Sequence, residues 1–190
     1  MQTKPNVLFP TKVWTTSPDD VLDKDTLLKE CYNHQKKNDS KQYSNVGGYQ
    51  GHMFTSEMFT KFVVDNIPKS ENHSGKFKQI GIESWVNING KGCYNFRHNH
   101  FMQTKPILFC GVYYVKVPDY SGEIGFYDPR PLACRTMDEI YLSGYEPPVT
   151  YVMPEEGECY YFPSWLEHEV RENNTNEERV SIAFNVCVEL

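Results

Sequence analysis

Three histidines and one arginine in the second half of the chain have the types and spacing for chemistry. His98-Asn99-His100 sets two imidazoles two residues apart. In an extended segment both point to the same side, their Cα atoms about 6.5 Å apart, so two ring nitrogens reach one ion. His168 closes the stretch Phe162-Pro163-Ser164-Trp165-Leu166-Glu167-His168, at the end of a different β-like run. A third imidazole on a facing strand completes a three-point metal site and leaves coordination positions for substrate and oxygen. An H-x-H pair alone is more often a surface or core feature, so the spacing does not settle the matter.

The last β-like run, Arg179-Val180-Ser181-Ile182-Ala183-Phe184-Asn185-Val186, separates two faces by alternation. Val180, Ile182, Phe184 and Val186 form a packing surface. Arg179, Ser181, Ala183 and Asn185 form a polar, small face that suits the wall of a cavity. A guanidinium grips a carboxylate through two parallel hydrogen bonds, and a serine two positions on adds a third donor. Arg179 and Ser181 are thus a candidate dicarboxylate clamp, against the plainer reading of an exposed arginine at a strand start. In Phe109-Cys110-Gly111-Val112-Tyr113-Tyr114-Val115, one tyrosine ring points inward and needs a partner for its hydroxyl. Tyr114 is the favoured third residue of that clamp, after Arg179 and Ser181; a pair of packing aromatics is the other reading.

Short β-like runs must position these groups: Gln79 to Asn89, Ile107 to Val117, Glu123 to Tyr127, Val149 to Met153, Glu158 to Phe162 and Arg179 to Val188, punctuated by Pro118, Pro129, Pro154 and Pro163. Their spacing without intervening helices predicts a sandwich or barrel. Before them come two helix signals. One opens at Ser17-Pro18-Asp19-Asp20 and runs to about Lys37, with Leu27, Leu28, Cys31 and Tyr32 as a modest apolar stripe. The other begins near Ser56, carries Met58, Phe59, Phe62 and Val63 on one face, and stops before Pro68. Between them Ser44 to Gly51 reads as a glycine-rich loop. The expectation is one domain over residues 1–190, a helical flank (1–70) ahead of a β core (76–190).

Composition narrows the function. A hydrophobic fraction of 39% with 13 Tyr and 11 Phe suits β structure. Net charge is −6 with no long run of Lys and Arg, which argues against nucleic acid as a partner. Met1 to Asn6 leads into no apolar signal region, and no stretch approaches the roughly 20 apolar residues of a membrane span. A cytoplasmic protein is expected. The six cysteines, Cys31, Cys93, Cys110, Cys134, Cys159 and Cys187, show no C-x-x-C pair and read as free thiols, mostly buried.

The order His98-x-His100, His168, Arg179-x-Ser181 resembles the iron(II) and 2-oxoglutarate-dependent oxygenases, in which H-x-D or H-x-E is followed by a distal histidine and then a basic residue on the last strand. The spacing from His98 to Tyr114 resembles that of prolyl-hydroxylase-like members, where such a tyrosine touches 2-oxoglutarate. More closely, the chain is similar to an oxygenase family common in marine bacteria and their phages. That likeness rests on Ser44-Asn45-Val46-Gly47-Gly48-Tyr49-Gln50, His98-Asn99-His100, Gly111 to Pro118, Phe126-Tyr127-Asp128-Pro129-Arg130, Phe162 to His168 and Arg179-Val180-Ser181-Ile182. It covers roughly residues 40 to 188. That family has proline after H-x-H; here Phe101 stands in its place.

The resemblance implies a double-stranded β-helix, a jelly roll of the cupin kind, with the metal at one mouth and the protein in the host cytoplasm if phage-encoded. It implies iron(II), 2-oxoglutarate and O2 as cofactor and co-substrates, with His98, His100 and His168 on the metal and Arg179, Ser181 and Tyr114 on the far carboxylate of 2-oxoglutarate. His100 departs from the wider pattern by standing where a carboxylate belongs, which leaves the site at 2+ instead of 1+. Either His100 is the third ligand, as three-histidine iron dioxygenases show to be feasible, or a carboxylate such as Asp128 completes the set; strand geometry favours His100. The implied reaction hydroxylates a C–H bond and releases succinate and CO2. By analogy a peptidyl residue, proline first, is the expected substrate, beside free amino acids, nucleobases and lipids. Ser44 to Gly51, Asp128 to Glu146 and Asn87 are candidates for lining the entrance, and Pro131 to Pro148 for a lid. Three other readings stand beside this one: a three-histidine thiol dioxygenase, a cupin-like module that binds a metal or carboxylate without turnover, and a structural protein, which leaves the polar face of the last strand unexplained.

Overall fold

The computed structural model describes residues 10–16, 22–41, 43–69, 79–101, 106–130 and 148–189. Alternation of apolar and polar residues gives the longer strands, and these close into two antiparallel sheets. In chain order the elements are β1 (Trp14–Thr16), α1 (Lys24–Lys37), β2 (Asn45–Val46), β3 (Tyr49–Gly51), α2 (Glu57–Asp65), β4 (Gln79–Asn89), β5 (Tyr94–His98), β6 (Ile107–Lys116), β7 (Ile124–Tyr127), β8 (Val149–Val152), β9 (Cys159–Phe162), β10 (His168–Val170) and β11 (Arg179–Glu189). One sheet runs β1-β9-β6-β11-β4-β3 and the other β2-β5-β10-β7-β8. This is the mainly β, jelly-roll architecture the sequence led us to expect, and the six expected strands end within one residue of their expected bounds.

The central strand β11 divides the molecule as its alternation requires. Val180, Ile182, Phe184 and Val186 are fully buried beneath the two helices. Phe184 meets Phe59 of α2 at 5.8 Å between ring centroids and Tyr161 of β9 at 5.2 Å. The opposite face looks toward the five-stranded sheet. There Cys110, Val112, Tyr160 and Phe162 pack with Ile124, Phe126 and Leu166, an apolar floor below the polar groups of β11.

Three sequence expectations need correction. Helix α1 opens at Lys24, not Ser17: its N-cap is Asp23, whose carboxylate accepts from Thr26 N at 3.0 Å and Thr26 Oγ1 at 2.7 Å, satisfying one of the helix's otherwise unpaired N–H groups. Residues 17–21 lie outside the described residues. The stretch Ser44–Gly51 is not simply a loop, and the N-terminal flank is not purely helical. It holds β1 and also β2 and β3, which join different sheets across the turn at Gly47 and Gly48. The turn is held by buried amides. Asn45 Nδ2 donates to Asn89 Oδ1 at 2.6 Å, Asn89 Nδ2 to Asn95 Oδ1 at 3.3 Å and Asn95 Nδ2 to Ser44 Oγ at 3.2 Å. A Cβ at Gly48 would stand 2.7 Å from Asn89 Oδ1, so only glycine lets the backbone approach this chain of amides.

Cys31, Cys93, Cys110 and Cys159 are buried free thiols and Cys187 is half-buried, while Cys134 lies outside the described residues. No helix among the described residues is long and apolar enough to cross a membrane.

Candidate active site

The site is built where β5 and β10 lie side by side. His98 and His168 are direct partners in that antiparallel pairing. The third imidazole therefore comes from a neighbouring strand of the same sheet, where the sequence had led us to expect a facing one. The reason is local: Pro163–Glu167 turns the chain after β9, and the short β10 then pairs between β5 and β7. His100 lies just beyond β5, its N–H donating to Ser164 O at 2.8 Å. Ring centroids are 4.3 Å apart for His98 and His168, 5.1 Å for His100 and His168 and 5.4 Å for His98 and His100. One nitrogen from each ring lies within 4.8 Å of the other two, a grouping able to hold a metal ion.

Hydrogen bonding selects which nitrogen each ring offers. Nδ1 of His98 lies 2.7 Å from Phe96 O, and Nδ1 of His168 lies 3.0 Å from Leu166 O. Nδ1 of His100 lies 2.8 Å from Asn185 Oδ1, across the site on β11. All three partners are carbonyl-type oxygens that only accept, so each Nδ1 carries the proton and each Nε2 keeps its lone pair. Burial holds all three imidazoles below their ordinary pKa, and His100 is pushed down to about 4 by burial and by neighbouring His98. Neutral rings with outward lone pairs are the form a metal ion requires.

Beside the histidines lies a cavity whose polar lining is Asn87, Tyr114, Arg179 and Ser181 with Ser44 and Asn95. Cross-strand register brings these together: Ser181 is opposite Asn87 on β4 and opposite Tyr114 on β6. The pairing of Ser181 with Tyr114 belongs to the regular register that continues through Val186 and Phe109, and the irregularity lies just beyond it, where Val180 meets Lys116. Tyr113 turns the other way, its ring packing on Phe59 and Phe62.

Arg179 is 3% exposed and no carboxylate pairs with it among the described residues. Its Nη1 donates to the carbonyls of Ser121, Gly122 (3.3 Å) and Arg171 (3.4 Å). Gly122, at φ +99°, makes this approach feasible, since a Cβ there would lie 2.9 Å from Arg179 Nη1. Burial lowers the guanidinium pKa from its ordinary value, yet arginine stays cationic in proteins. The Tyr114 hydroxyl is buried without a partner among the described residues, and burial pushes its pKa upward, so it keeps its proton and remains a donor. A buried cation without a counter-ion and an unmatched hydroxyl beside it are costly unless an anion joins them.

Asp128 is held instead by Arg130, whose Nη2 donates to it at 2.8 Å, and it stands apart from the histidine cluster. On the other side of His98 and His100 a cleft of about 690 Å³ is lined by Tyr43, Ser44, Gln50, His52, Trp85 and Phe96. His52 stacks on Trp85 at 5.7 Å, and Trp85 lies 5.4 Å from His100. Of the stretch 44–51 expected to line an entrance, Ser44 and Gln50 line this cleft, whereas Asn87 lines the inner cavity. The expected lid, Pro131 to Pro148, lies outside the described residues except for Pro148. Sequence reasoning missed Trp85 and His52, whose positions follow from sheet pairing and not from any motif.

Residues 83–185, more than half of the chain, match the family model described as "Putative 2OG-Fe(II) oxygenase". The chain belongs to the 2OG-Fe(II) oxygenase family. It is accordingly an oxygenase whose chemistry uses iron(II) and 2-oxoglutarate, and the matched span contains the three histidines, Tyr114, Arg179 and Asn185. Among solved structures, the oxygenase is similar to a prolyl-4-hydroxylase of Pseudomonas putida, with TM-score 0.62 and 15% identity over 93% of this chain and 92% of that one. It is also similar to a prolyl hydroxylase of Trichoplax adhaerens in complex with a hypoxia inducible factor peptide fragment (0.66, 15%, 92% and 83%). A third is HygX of Streptomyces hygroscopicus with nickel, 2-oxoglutarate and hygromycin B bound (0.61, 11%, 93% and 83%). These likenesses carry the fold. No curated protein sequence matches the chain.

Proposed function

We propose that His98, His100 and His168 hold iron(II) through their Nε2 atoms, that Arg179, Ser181 and Tyr114 bind the far carboxylate of 2-oxoglutarate, and that the enzyme hydroxylates a C–H bond of a peptidyl residue, proline first. One observation carries the reading. Three histidines share the same tautomer, their lone pairs meet within one small volume, and that volume adjoins a buried guanidinium that has no counter-ion among the described residues.

Iron(II) and 2-oxoglutarate, when bound, supply with O2 the oxidation of an unactivated C–H bond, giving alcohol, succinate and CO2. The chain's own residues do the rest. Arg179 offers the fixed fork that matches a carboxylate in two places, and Tyr114 and Ser181 add hydroxyl donors from the same row of the sheet. Phe162, with its ring 4.7 Å from His168, and Ile124 wall the inner cavity with apolar surface and exclude water from it. Primary substrate enters from the opposite side, through the cleft over His98 and His100. Its rings, Tyr43, Trp85 and Phe96, make the kind of groove on which proline-containing segments dock, and Nε2 of His52, buried without a partner, supplies a polar contact.

The test is anaerobic binding of iron(II) and 2-oxoglutarate, read by the weak visible charge-transfer band, in the parent, His168→Ala and Arg179→Ala. The reading expects a band in the parent only. A folded, iron-loaded parent without a band would remove it, and succinate release stimulated by proline-containing peptides over free amino acids would decide the substrate class.

A further inference from the structure

Of the three imidazoles, one is held differently. His98 and His168 each place Nδ1 on the main-chain carbonyl two residues earlier, Phe96 O and Leu166 O. Those acceptors belong to the backbone and survive any side-chain substitution. Nδ1 of His100 depends on a side chain, Asn185, reached across from the other sheet. Both residues are buried, His100 at 9% exposure and Asn185 at 4%, so water does not readily replace a lost partner.

We propose that Asn185 is a positioning residue: by accepting from Nδ1–H, it fixes His100 in the tautomer whose Nε2 can serve as a ligand in place of the carboxylate found in the wider superfamily. This rests on the metal site proposed above. In the opposite tautomer Nε2 would carry hydrogen and aim it at the other two rings, and only two ligands would remain. The His100 N–H bond to Ser164 O already fixes the backbone, and the Trp85 ring at 5.4 Å restricts the imidazole plane. Proton placement is the variable left open, and Asn185 is the group in contact with it. An amide has a second consequence. Being uncharged, it leaves His100 a neutral ligand and the metal centre at 2+, whereas a carboxylate in its place would lend the ring anionic character.

The experiment compares the parent with Asn185→Leu and Asn185→Asp, using anaerobic titration with iron(II) and cobalt(II), and then the charge-transfer band with iron(II) and 2-oxoglutarate. Asn185→Leu is expected to weaken metal binding about 10- to 100-fold. Asn185→Asp, which can only accept, is expected to bind at least as tightly as the parent and to move the band to longer wavelength, because an electron-richer iron(II) gives up charge more readily. A merely structural asparagine would not shift that band. Parent-like metal affinity in Asn185→Leu would overturn the proposal. So would leucine-like loss, or an unmoved band, in Asn185→Asp, which also decides the matter if the leucine variant does not fold. A parent that binds no metal would overturn the metal-site reading itself, and this inference with it.

Discussion

Arg179 and Asn185 stand on the same face of β11 and serve opposite ends of the site: Arg179 lies in the inner cavity with Tyr114 and Ser181, while Asn185 bonds to His100 at the outer cleft. Ser181 and Ala183 lie between them on that face. A single rigid strand thereby sets the distance between the proposed carboxylate clamp and the proposed metal, which rigid elements do better than loops.

Replacing Arg179 by lysine keeps the charge and removes the fork. Affinity for 2-oxoglutarate is expected to fall by about 1.5 to 3 kcal/mol, the usual worth of charged hydrogen bonds, with little change in metal affinity. Anaerobic calorimetry of the metal-loaded protein measures both. Equal loss of metal and co-substrate binding would mean that Arg179 supports the fold and not the ligand.

Tyr114→Phe separates a binding role from a packing role. The hydroxyl has no partner in the structure, so its removal is expected to leave the ligand-free protein as stable as before, or slightly more so. Binding of 2-oxoglutarate is expected to weaken by about 1.5 to 3 kcal/mol, the range for a hydrogen bond to a charged group. Denaturant unfolding and co-substrate titration on the same variant check the two halves; a destabilised variant with normal affinity would assign Tyr114 to the core.

Much of this was legible because alternation and motif order are local properties. Val180-x-Ile182-x-Phe184-x-Val186 announces its buried face, and Arg179-x-Ser181 its polar one, without knowledge of any partner strand. The short strands were not legible: β2, β3 and β10 hold two or three residues each, too few for a period, and exist because a neighbouring ladder accepts them. For the same reason the pairing of His98 with His168 was hidden, since it depends on register between strands separated by much of the chain. The choice of Tyr114 over Tyr113 turns on the register between β6 and β11, which sets Tyr114 opposite Ser181 and which alternation within β6 alone does not give. Asn185 was visible as a polar face residue, but its bond to His100 spans 85 positions and leaves no local trace.

Gly122→Ala tests the support behind the clamp. At φ +99° an L-residue is strained, and the new Cβ would fall 2.2 Å from Arg171 O and 2.9 Å from Arg179 Nη1. A loss of about 1 to 3 kcal/mol in stability is expected, together with weaker 2-oxoglutarate binding because the guanidinium must move. Thermal unfolding and co-substrate titration report the two effects. Normal stability would show that the backbone at 122 relaxes freely and that Arg179 does not depend on it.

Acid should unfold the metal-free enzyme through its histidines. The pKa of His100 falls on folding from 6.5 to about 4, chiefly by burial, and His98 and His168 shift in the same direction. Above pH 6.5 these rings are neutral in both states and the full stability is present. As pH drops from 6.5 toward 4 the unfolded chain takes up protons that the folded chain refuses, so stability is lost, at up to about 1.4 kcal/mol per pH unit for each such histidine. Urea unfolding at pH 7 and pH 5 measures the slope. His100→Gln should reduce it, because one of the refusing groups is gone. A bound metal ion should raise stability at pH 7 and lose much of that benefit at pH 5, where proton and metal compete for the same lone pairs. A slope unchanged in His100→Gln would mean that the ring protonates in the folded state without cost, and that burial around His100 is looser than the structure shows.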